Sequence, residues 1–316
     1  MNDKYSLAIR IRYNGQVRIA IVGSGSAAKQ HLAAGKELGL ECVLITQRDI
    51  VDSVKTFQSI FFSESQYRPT HYIVANATHL HSSTIAEIRS MNPEVSILCE
   101  KPLMNCDWLL SDKNLRVGFN LRFCAEFRAL KRELSKLDSR VNSVSIEYGR
   151  DLRTWRASLL REDSYSKFSN KGGGVLHDLS HELDFIVHLF GKPSKLVSIG
   201  GCFSGITADS DDLFNVFLKC DSYDVGSIHL NCVSPEPFRR IRILGKDVFL
   251  EADLIQHTLK IGSETHSFQN TPTFKNQLRC FLEEPNSLPG VDEGIYIDNL
   301  IKSIVSSNKL EQWVRA

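Results

Sequence analysis

The chain has 316 residues, of which 42% are hydrophobic and 24% charged, and a formal net charge of +1. That length supports two domains with cores of their own, and the near-balanced charge excludes the basic footprint of a nucleic-acid or membrane-surface protein. No apolar run approaches a membrane span, the start "MNDKYSLAIRIRYNGQ" does not read as a signal peptide, and eight cysteines without a C-x-x-C pair or zinc spacing suit free thiols in a reducing cytoplasm, with no metal site.

"VRIAIVG" (17–23) is a β-branched run of the length of a buried parallel strand. It runs into Gly23-Ser24-Gly25-Ser26-Ala27-Ala28 and then a helical stretch, "KQHLAAGKELG". This is G-x-G-x-x-A, the dinucleotide fingerprint with Ala in the last place. The first glycine permits a tight turn, the second lets backbone approach a pyrophosphate, and the helix N-terminus attracts the phosphate charge. "ECVLITQRD" (41–49) predicts the second strand. An Asp or Glu at its end would bind the ribose of NAD; here Arg48 stands near the end and leans the cofactor from NAD(H) to NADP(H), with Asp49 as the acidic alternative. "HYIVANATHLHSSTIAEIRS" (71–90) predicts strand, turn and helix, and "VSILCEKP" (95–102) a further strand. Repeated strand–helix units imply a doubly wound parallel sheet that binds ligands at the carboxyl ends of its strands. Asn76, Thr78, His81, Glu100 and Lys101 fall at such ends and join Gly23, Ser24, Gly25, Ser26, Ala27 and Arg48 as candidate cofactor-binding residues.

Past residue 120 the pattern changes. "AEFRALKRELSKL" is helical, and "VNSVSIEYGRDL", "SKLVSIGGCF", "LFNVFLKC", "DVGSIHLNCV", "RRIRILGKDVFLEAD" and "HTLKIG" read as strands separated by turn residues. They predict an open, mostly antiparallel sheet. One helix over 175–190 interrupts them, with His177, Asp178, His181 and Asp184 at helical spacing after three glycines that suit a backbone pressed against a ligand or another chain. "GRDLRTWRASLLRED" (149–163) collects arginines around Trp155; arginines grip phosphate or carboxylate, and Trp stacks on a sugar or base. The expected architecture is therefore α/β: an N-terminal Rossmann NAD(P)-binding domain over 1–120 and a C-terminal α+β domain over 121–316. Its final helix, near 293–308, is expected to pack back on the first domain.

The order and spacing of "IVGSGSAAKQHL", "VANATHLHSSTI", "CEKPL", "VGFNLRF" and "GGGVLHDLSHELDFIVHLFG" resemble the glucose–fructose oxidoreductase/inositol dehydrogenase (Gfo/Idh/MocA) family over nearly the whole chain. Two departures stand out. Ala77 replaces a common Pro, and only "PLMNCDWLLSDKN" lies where a full helix is usual after the lysine. The resemblance implies an NAD(P)-dependent oxidoreductase moving hydride between nicotinamide and a hydroxyl or keto carbon of a sugar or sugar derivative, with a nucleotide-linked or acidic sugar favoured if the arginines bind it. It makes Lys101 and His181 catalytic with Asp178, His177 being the alternative second residue, and places Lys101, Arg122, Arg153, Trp155, Arg156, His177 and His181 at the substrate. The residues themselves leave Lys101 open to a structural pairing with Glu100, Asp184 to an ion pair, and His188 to packing. The resemblance also implies a homodimer or homotetramer formed through the C-terminal sheet. Two other functions fit the same fold: a non-catalytic NAD(P)-binding regulator, and a hydrolase or isomerase that retains its NAD.

Overall fold

The computed structural model describes residues 17–48, 54–155 and 165–316. The chain divides into two units. One holds Met1–Asn120 with Pro272–Ile295, and the other holds Leu121–Thr271 with Tyr296–Ala316.

Among the described residues, the first unit contains six parallel strands: β1 (Arg18–Val22), β2 (Glu41–Ile45), β3 (Thr56–Phe57), β4 (His71–Val74), β5 (Ser96–Glu100) and β6 (Leu115–Gly118). Their order is β3-β2-β1-β4-β5-β6, so the winding reverses between β1 and β4. Ile19, Ala20, Ile21, Tyr72, Ile73 and Leu98 are fully buried, as the short apolar runs require of strands covered on both faces. Helices Ser26–Glu37, Ile60–Gln66 and His81–Met91 connect the early strands. Between β5 and β6 the crossover has a single 3-10 turn, Asp107–Leu109, in agreement with the shortened connection seen in the sequence. A further helix, Thr273–Glu283, returns from the far end of the chain to this unit. Phe274 sets its ring edge-on to His31 at 4.9 Å, Phe281 packs on His71, and Lys275 pairs with Glu37 at 3.2 Å.

Among the described residues, the second unit is built on nine strands: β7 (Val141–Gly149), β8 (Lys195–Gly201), β9 (Leu213–Cys220), β10 (Tyr223–Asn231), β11 (Phe238–Gly245), β12 (Val248–Asp253), β13 (Thr258–Ile261), β14 (Glu264–Ser267) and β15 (Val314–Arg315). Their order is β14-β13-β12-β11-β7-β10-β9-β8-β15. Every pairing is antiparallel except β10 with β7. Val144, Ile146 and Tyr148 of β7 are buried while the residues between them are more exposed, the alternation of a sheet with one covered face. The run "RRIRILGKDVFLEAD" is a hairpin of β11 and β12 that turns at Lys246 and Asp247. The final helix is longer than expected, Val291–Leu310; only its start, to Ile295, belongs with the first unit. Among the described residues, no helix is long and apolar enough to cross a membrane.

The expected single helix over 175–190 is two pieces, Val175–Asp178 and Ser180–Phe190, broken at Leu179 (φ −107°, ψ 28°). His177 and Asp178 therefore stand on a different piece from His181, and the i,i+3 and i,i+4 spacings do not carry across the break. The first piece takes its register from a loop. Val175 N donates to the Asp211 backbone oxygen and Leu176 N donates to Asp211 Oδ2, each at 3.0 Å.

Candidate functional site

In the first unit, β1 ends at the glycine turn. Gly23 has φ +121°, and a Cβ there would lie 2.5 Å from the Ala75 carbonyl oxygen, so no larger residue fits. Gly25 is different. Its φ of −75° and ψ of −171° are open to any residue, and a Cβ there would meet nothing within 4 Å. Neither conformation nor internal packing calls for a glycine at 25. An open approach to the backbone does, and the fingerprint assigns that approach to a pyrophosphate. Gly25 caps the helix Ser26–Glu37 without a side-chain bond, and the first helical hydrogen bond runs from Lys29 N to Gly25 O at 3.1 Å. Gly25 and Ser26 are exposed, Ser24 and Ala27 partly so, and the first turn contains no acidic residue. Its free amides and helix dipole suit an anion. The residues present fit a dinucleotide.

The end of β2 is bonded to this turn. Thr46 Oγ1 donates to Ser24 Oγ at 3.3 Å and accepts from Arg48 N at 3.1 Å. Arg48 is exposed. Asp49, the acidic alternative, lies outside the described residues.

At the end of β4, Asn76 Nδ2 donates to Thr84 Oγ1 at 2.7 Å, while its Oδ1 is buried with no hydrogen-bond partner. An acceptor left over at a strand end fits a ligand that carries a donor. Thr78 is buried at the start of the same turn. His81, expected at the cofactor, is buried, with Nδ1 3.1 Å from the Pro102 carbonyl and Nε2 3.3 Å from the Asn76 carbonyl. Burial pushes its pKa down. Its ring links two strand ends through their backbone. Glu100 is likewise turned inward, to His31 Nε2 at 2.7 Å. Lys101 follows at the end of β5, partly exposed, with a cis peptide to Pro102.

In the second unit, one shallow cleft is lined by Leu152, Trp155, Val175, Asp178, Leu179 and Cys232, among others. Trp155 and Asp178, read from separate sequence segments, thus share a cavity. Leu152 N donates to the Cys232 carbonyl at 2.9 Å, which fixes the Trp155 segment to the end of β10, and Trp155 packs on Tyr148 with ring centroids 5.8 Å apart. Tyr165 Oη donates to Asp178 Oδ1 at 3.3 Å. His181 is buried and stacks on Phe185, and His177 is partly exposed.

Two of the expected arginines, Arg122 and Arg153, are engaged elsewhere. Arg122 makes a paired bond to Asp184, with Nε 2.9 Å from Oδ2, and both groups are largely buried. Arg153 holds Asp151 through Nε and Nη2 and keeps that carboxyl below the usual range. Arg156 lies outside the described residues. Asp184 has the ion-pair role that its position allowed. His188 packs beside Phe127, 2.7 Å from Lys131 Nζ, its pKa lowered to about 3 chiefly by burial. Two groups were not foreseen. Asp211, held by Leu176 N, has its pKa raised to about 6, chiefly by burial and further by Asp178. His31 is the other. Two of the three glycines before the helix do meet a close approach, but from this chain: Gly174 has φ +107° and faces Asp211, and a Cβ on Gly173 would lie 2.5 Å from the Tyr165 carbonyl oxygen. Among the described residues, no group of three or more His, Cys, Asp or Glu is arranged to hold a metal ion.

Residues 139–251 match the sequence profile of the GFO/IDH/MocA C-terminal domain. No curated protein matches the chain in sequence. An oxidoreductase of Thermotoga maritima superposes with a TM-score of 0.81 at 16% identity, covering 95% of this chain and 98% of that one. Levoglucosan dehydrogenase in complex with NADH gives 0.79 at 17% identity, over 95% and 98%. The WlbA dehydrogenase of Bordetella pertussis, in complex with NADH and UDP-GlcNAcA, gives 0.76 at 18% identity, again over 95% and 98%. The family resemblance read from the motifs is borne out by the profile match over 139–251, and the fold of both units is that of these enzymes.

Proposed function

We propose that this chain, which carries the GFO/IDH/MocA C-terminal domain behind a Rossmann unit, is an NAD(P)-dependent oxidoreductase acting on a sugar or sugar derivative. The observation that carries the reading is Gly25, a glycine kept where neither φ nor packing requires one, at the N-terminus of a helix that follows β1. Levoglucosan dehydrogenase and WlbA, both solved with NADH, support the cofactor class, and their sugar ligands and names support the substrate class. The bound cofactor supplies hydride exchange at its nicotinamide. Gly23 to Ala27 hold its pyrophosphate, and Asn76 and Thr78 line its crevice. Lys101 hydrogen-bonds the reacting hydroxyl or carbonyl oxygen and polarises it. His181 moves the proton, with Asp178 or His177 beside it. Trp155, which shares a cleft with Asp178, offers a face for a sugar ring. Arg122 and Arg153 are bonded to Asp184 and Asp151, which weakens the case for an acidic sugar.

Calorimetry with NAD(H) and NADP(H) is the test. The wild type binds at least one of them, and Gly25→Asp loses it because a carboxylate would stand where the pyrophosphate approaches. Unchanged affinity in the variant refutes the site. Tighter binding of NADPH than NADH supports the role given to Arg48, and the reverse order rejects it. A screen of sugar nucleotides, neutral sugars and polyols with the preferred cofactor then names the substrate.

The assembly reading stands beside this one. Ile199, Phe217 and Val225 are 72%, 51% and 50% exposed on neighbouring strands β8, β9 and β10. Apolar side chains in such a row favour a covered face and hence a homodimer or homotetramer through this sheet. Light scattering that finds only monomer at micromolar concentration rejects it.

A further inference from the structure

A buried hydrogen bond joins two parts of the first unit that the cofactor reading treats separately. His31 lies on the helix Ser26–Glu37, whose N-terminus is the glycine turn, and is 0% exposed. Its Nε2 is 2.7 Å from Glu100 Oε1, the last residue of β5 and the residue before Lys101. Glu100 is 8% exposed, so the bond is shielded from water at both ends.

The surroundings are built around this contact. Gly118 stands opposite Glu100 on β6, and a Cβ there would lie 3.1 Å from Glu100 Oε1. A glycine inside a strand weakens it and marks a close approach. Here the approaching group is the carboxylate on its way to His31. On the other side Phe274 stands edge-on to the imidazole, ring centroids 4.9 Å apart and planes at 88°, and so fixes its orientation. Phe274 is held in turn by its neighbour Thr273, whose Oγ1 accepts from Asn120 Nδ2 at 2.8 Å. Residues 31, 100, 118 and 274 come from four separate elements, and two apolar side chains would fill the same space at lower desolvation cost. Beyond Lys101, the Pro102 carbonyl lies 3.1 Å from His81 Nδ1. Lys101 is thus the more exposed residue of a three-residue segment anchored on both sides by buried histidines.

We infer that His31 is a positioning residue for Lys101: through Glu100 it ties the strand end that carries the lysine to the helix whose N-terminus faces the cofactor phosphates. The inference rests on the cofactor reading above. Seating a pyrophosphate on the amides after Gly25 fixes this helix, and the His31–Glu100 bond passes that constraint to Lys101. Cofactor binding and lysine placement are therefore coupled, and the coupling is reciprocal.

The experiment needs no substrate. Lysines are dimethylated with ¹³C-formaldehyde, the Lys101 signal is assigned by its absence in Lys101→Arg, and its shift and pH midpoint are followed by NMR with and without saturating NADH or NADPH. In the wild type the cofactor moves both. The double variant His31→Leu/Glu100→Gln removes the bond without leaving a buried charge. It is expected to bind cofactor within about threefold of wild type while the Lys101 response is largely lost. His31→Gln keeps a donor of similar reach and restores the response, which a general loss of packing would not allow. Should the double variant fail to fold, His31→Asn, whose amide is too short to reach the carboxylate, carries the same comparison against His31→Gln. An equal Lys101 response without the bond overturns the inference, as does a wild-type Lys101 that ignores a bound cofactor. If neither cofactor binds the wild type, the cofactor reading itself falls and takes this one with it.

Discussion

As sequence, Gly23–Gly25 of the first unit and Gly172–Gly174 of the second are alike, yet they face different things. Gly25 has an ordinary φ and open space above it. Gly174 has φ +107° and faces the Asp211 side chain, and Gly173 lies against the Tyr165 carbonyl. At Gly25 the first turn is bare toward the outside, where a ligand fits, while Gly23 packs against the Ala75 carbonyl. The other is bare toward the chain's own loop, which sets the register of the segment bearing His177 and Asp178. A run of glycines before a helix thus marks close approach in both cases, and only the fold tells whether the approaching group is foreign.

The comparison breaks most sharply at the lysine and histidine that the two segments are proposed to serve. Lys101→Ala should lower turnover, on the substrate found by screening, by about 10²–10⁴-fold or more, with cofactor affinity retained. His31 still holds the Glu100 carboxylate on one side and His81 the Pro102 carbonyl on the other, so folding survives. His181→Ala should have a similar effect. Wild-type turnover in Lys101→Ala would make the lysine structural and the proposed mechanism wrong.

Next in size is a pair of glycine replacements. Gly174→Ala adds a side chain at positive φ against Asp211, which should cost about 2–4 kcal/mol of stability. Gly25→Ala meets no neighbour and no strained φ, so its cost should stay within the about 1 kcal/mol of an N-cap replacement. Cofactor affinity should show the opposite order. Denaturant unfolding and calorimetry on both proteins decide it, and equal destabilisation would erase the distinction between the two turns.

Much of the first unit was legible because its signals are local. Short β-branched runs such as Ile19–Val22 end in turn residues, so the strand ends that carry Asn76, Glu100 and Lys101 could be placed without tertiary knowledge. What those side chains touch was not legible. Glu100 and His81 face inward because His31, Asn76 and Pro102 come to meet them from other elements. The helix Thr273–Glu283 did carry a signal, with Phe274, Leu278 and Phe281 at i, i+4 and i+7, but nothing local says that it packs on the helix Ser26–Glu37. The break at Leu179 was hidden for a similar reason. Continuous apolar periodicity across 175–190 favours one helix, and the competing bonds come from a loop more than thirty residues away. The arginines around Trp155 read as anion ligands because their acidic partners are set by the fold, or, for Asp151, by a turn of backbone that composition does not reveal.

That loop supplies the smallest and most specific effect. Asp211 accepts a hydrogen bond from Leu176 N, yet burial and the nearby Asp178 raise its pKa to about 6 from an ordinary 3.8. A carboxyl whose folded pKa lies above its unfolded one binds its proton more tightly in the native state. Between about pH 4 and pH 6 the native protein therefore holds more protons than the unfolded chain, and this group's contribution to stability falls as pH rises through that window. Above about pH 6 the decline is complete, and the folded state carries the full penalty of the buried charge. Asp211→Asn keeps an oxygen for Leu176 N and removes the ionisation, so its stability relative to wild type should increase from pH 4 to pH 6 and level off above. Gly25→Ala, in the other turn, should leave that pH dependence as it is in the wild type. Unfolding free energies measured at several pH values across this range test the point: a constant difference between Asp211→Asn and wild type would mean that Asp211 titrates normally and that the loop holds the Val175–Asp178 segment without a buried charge.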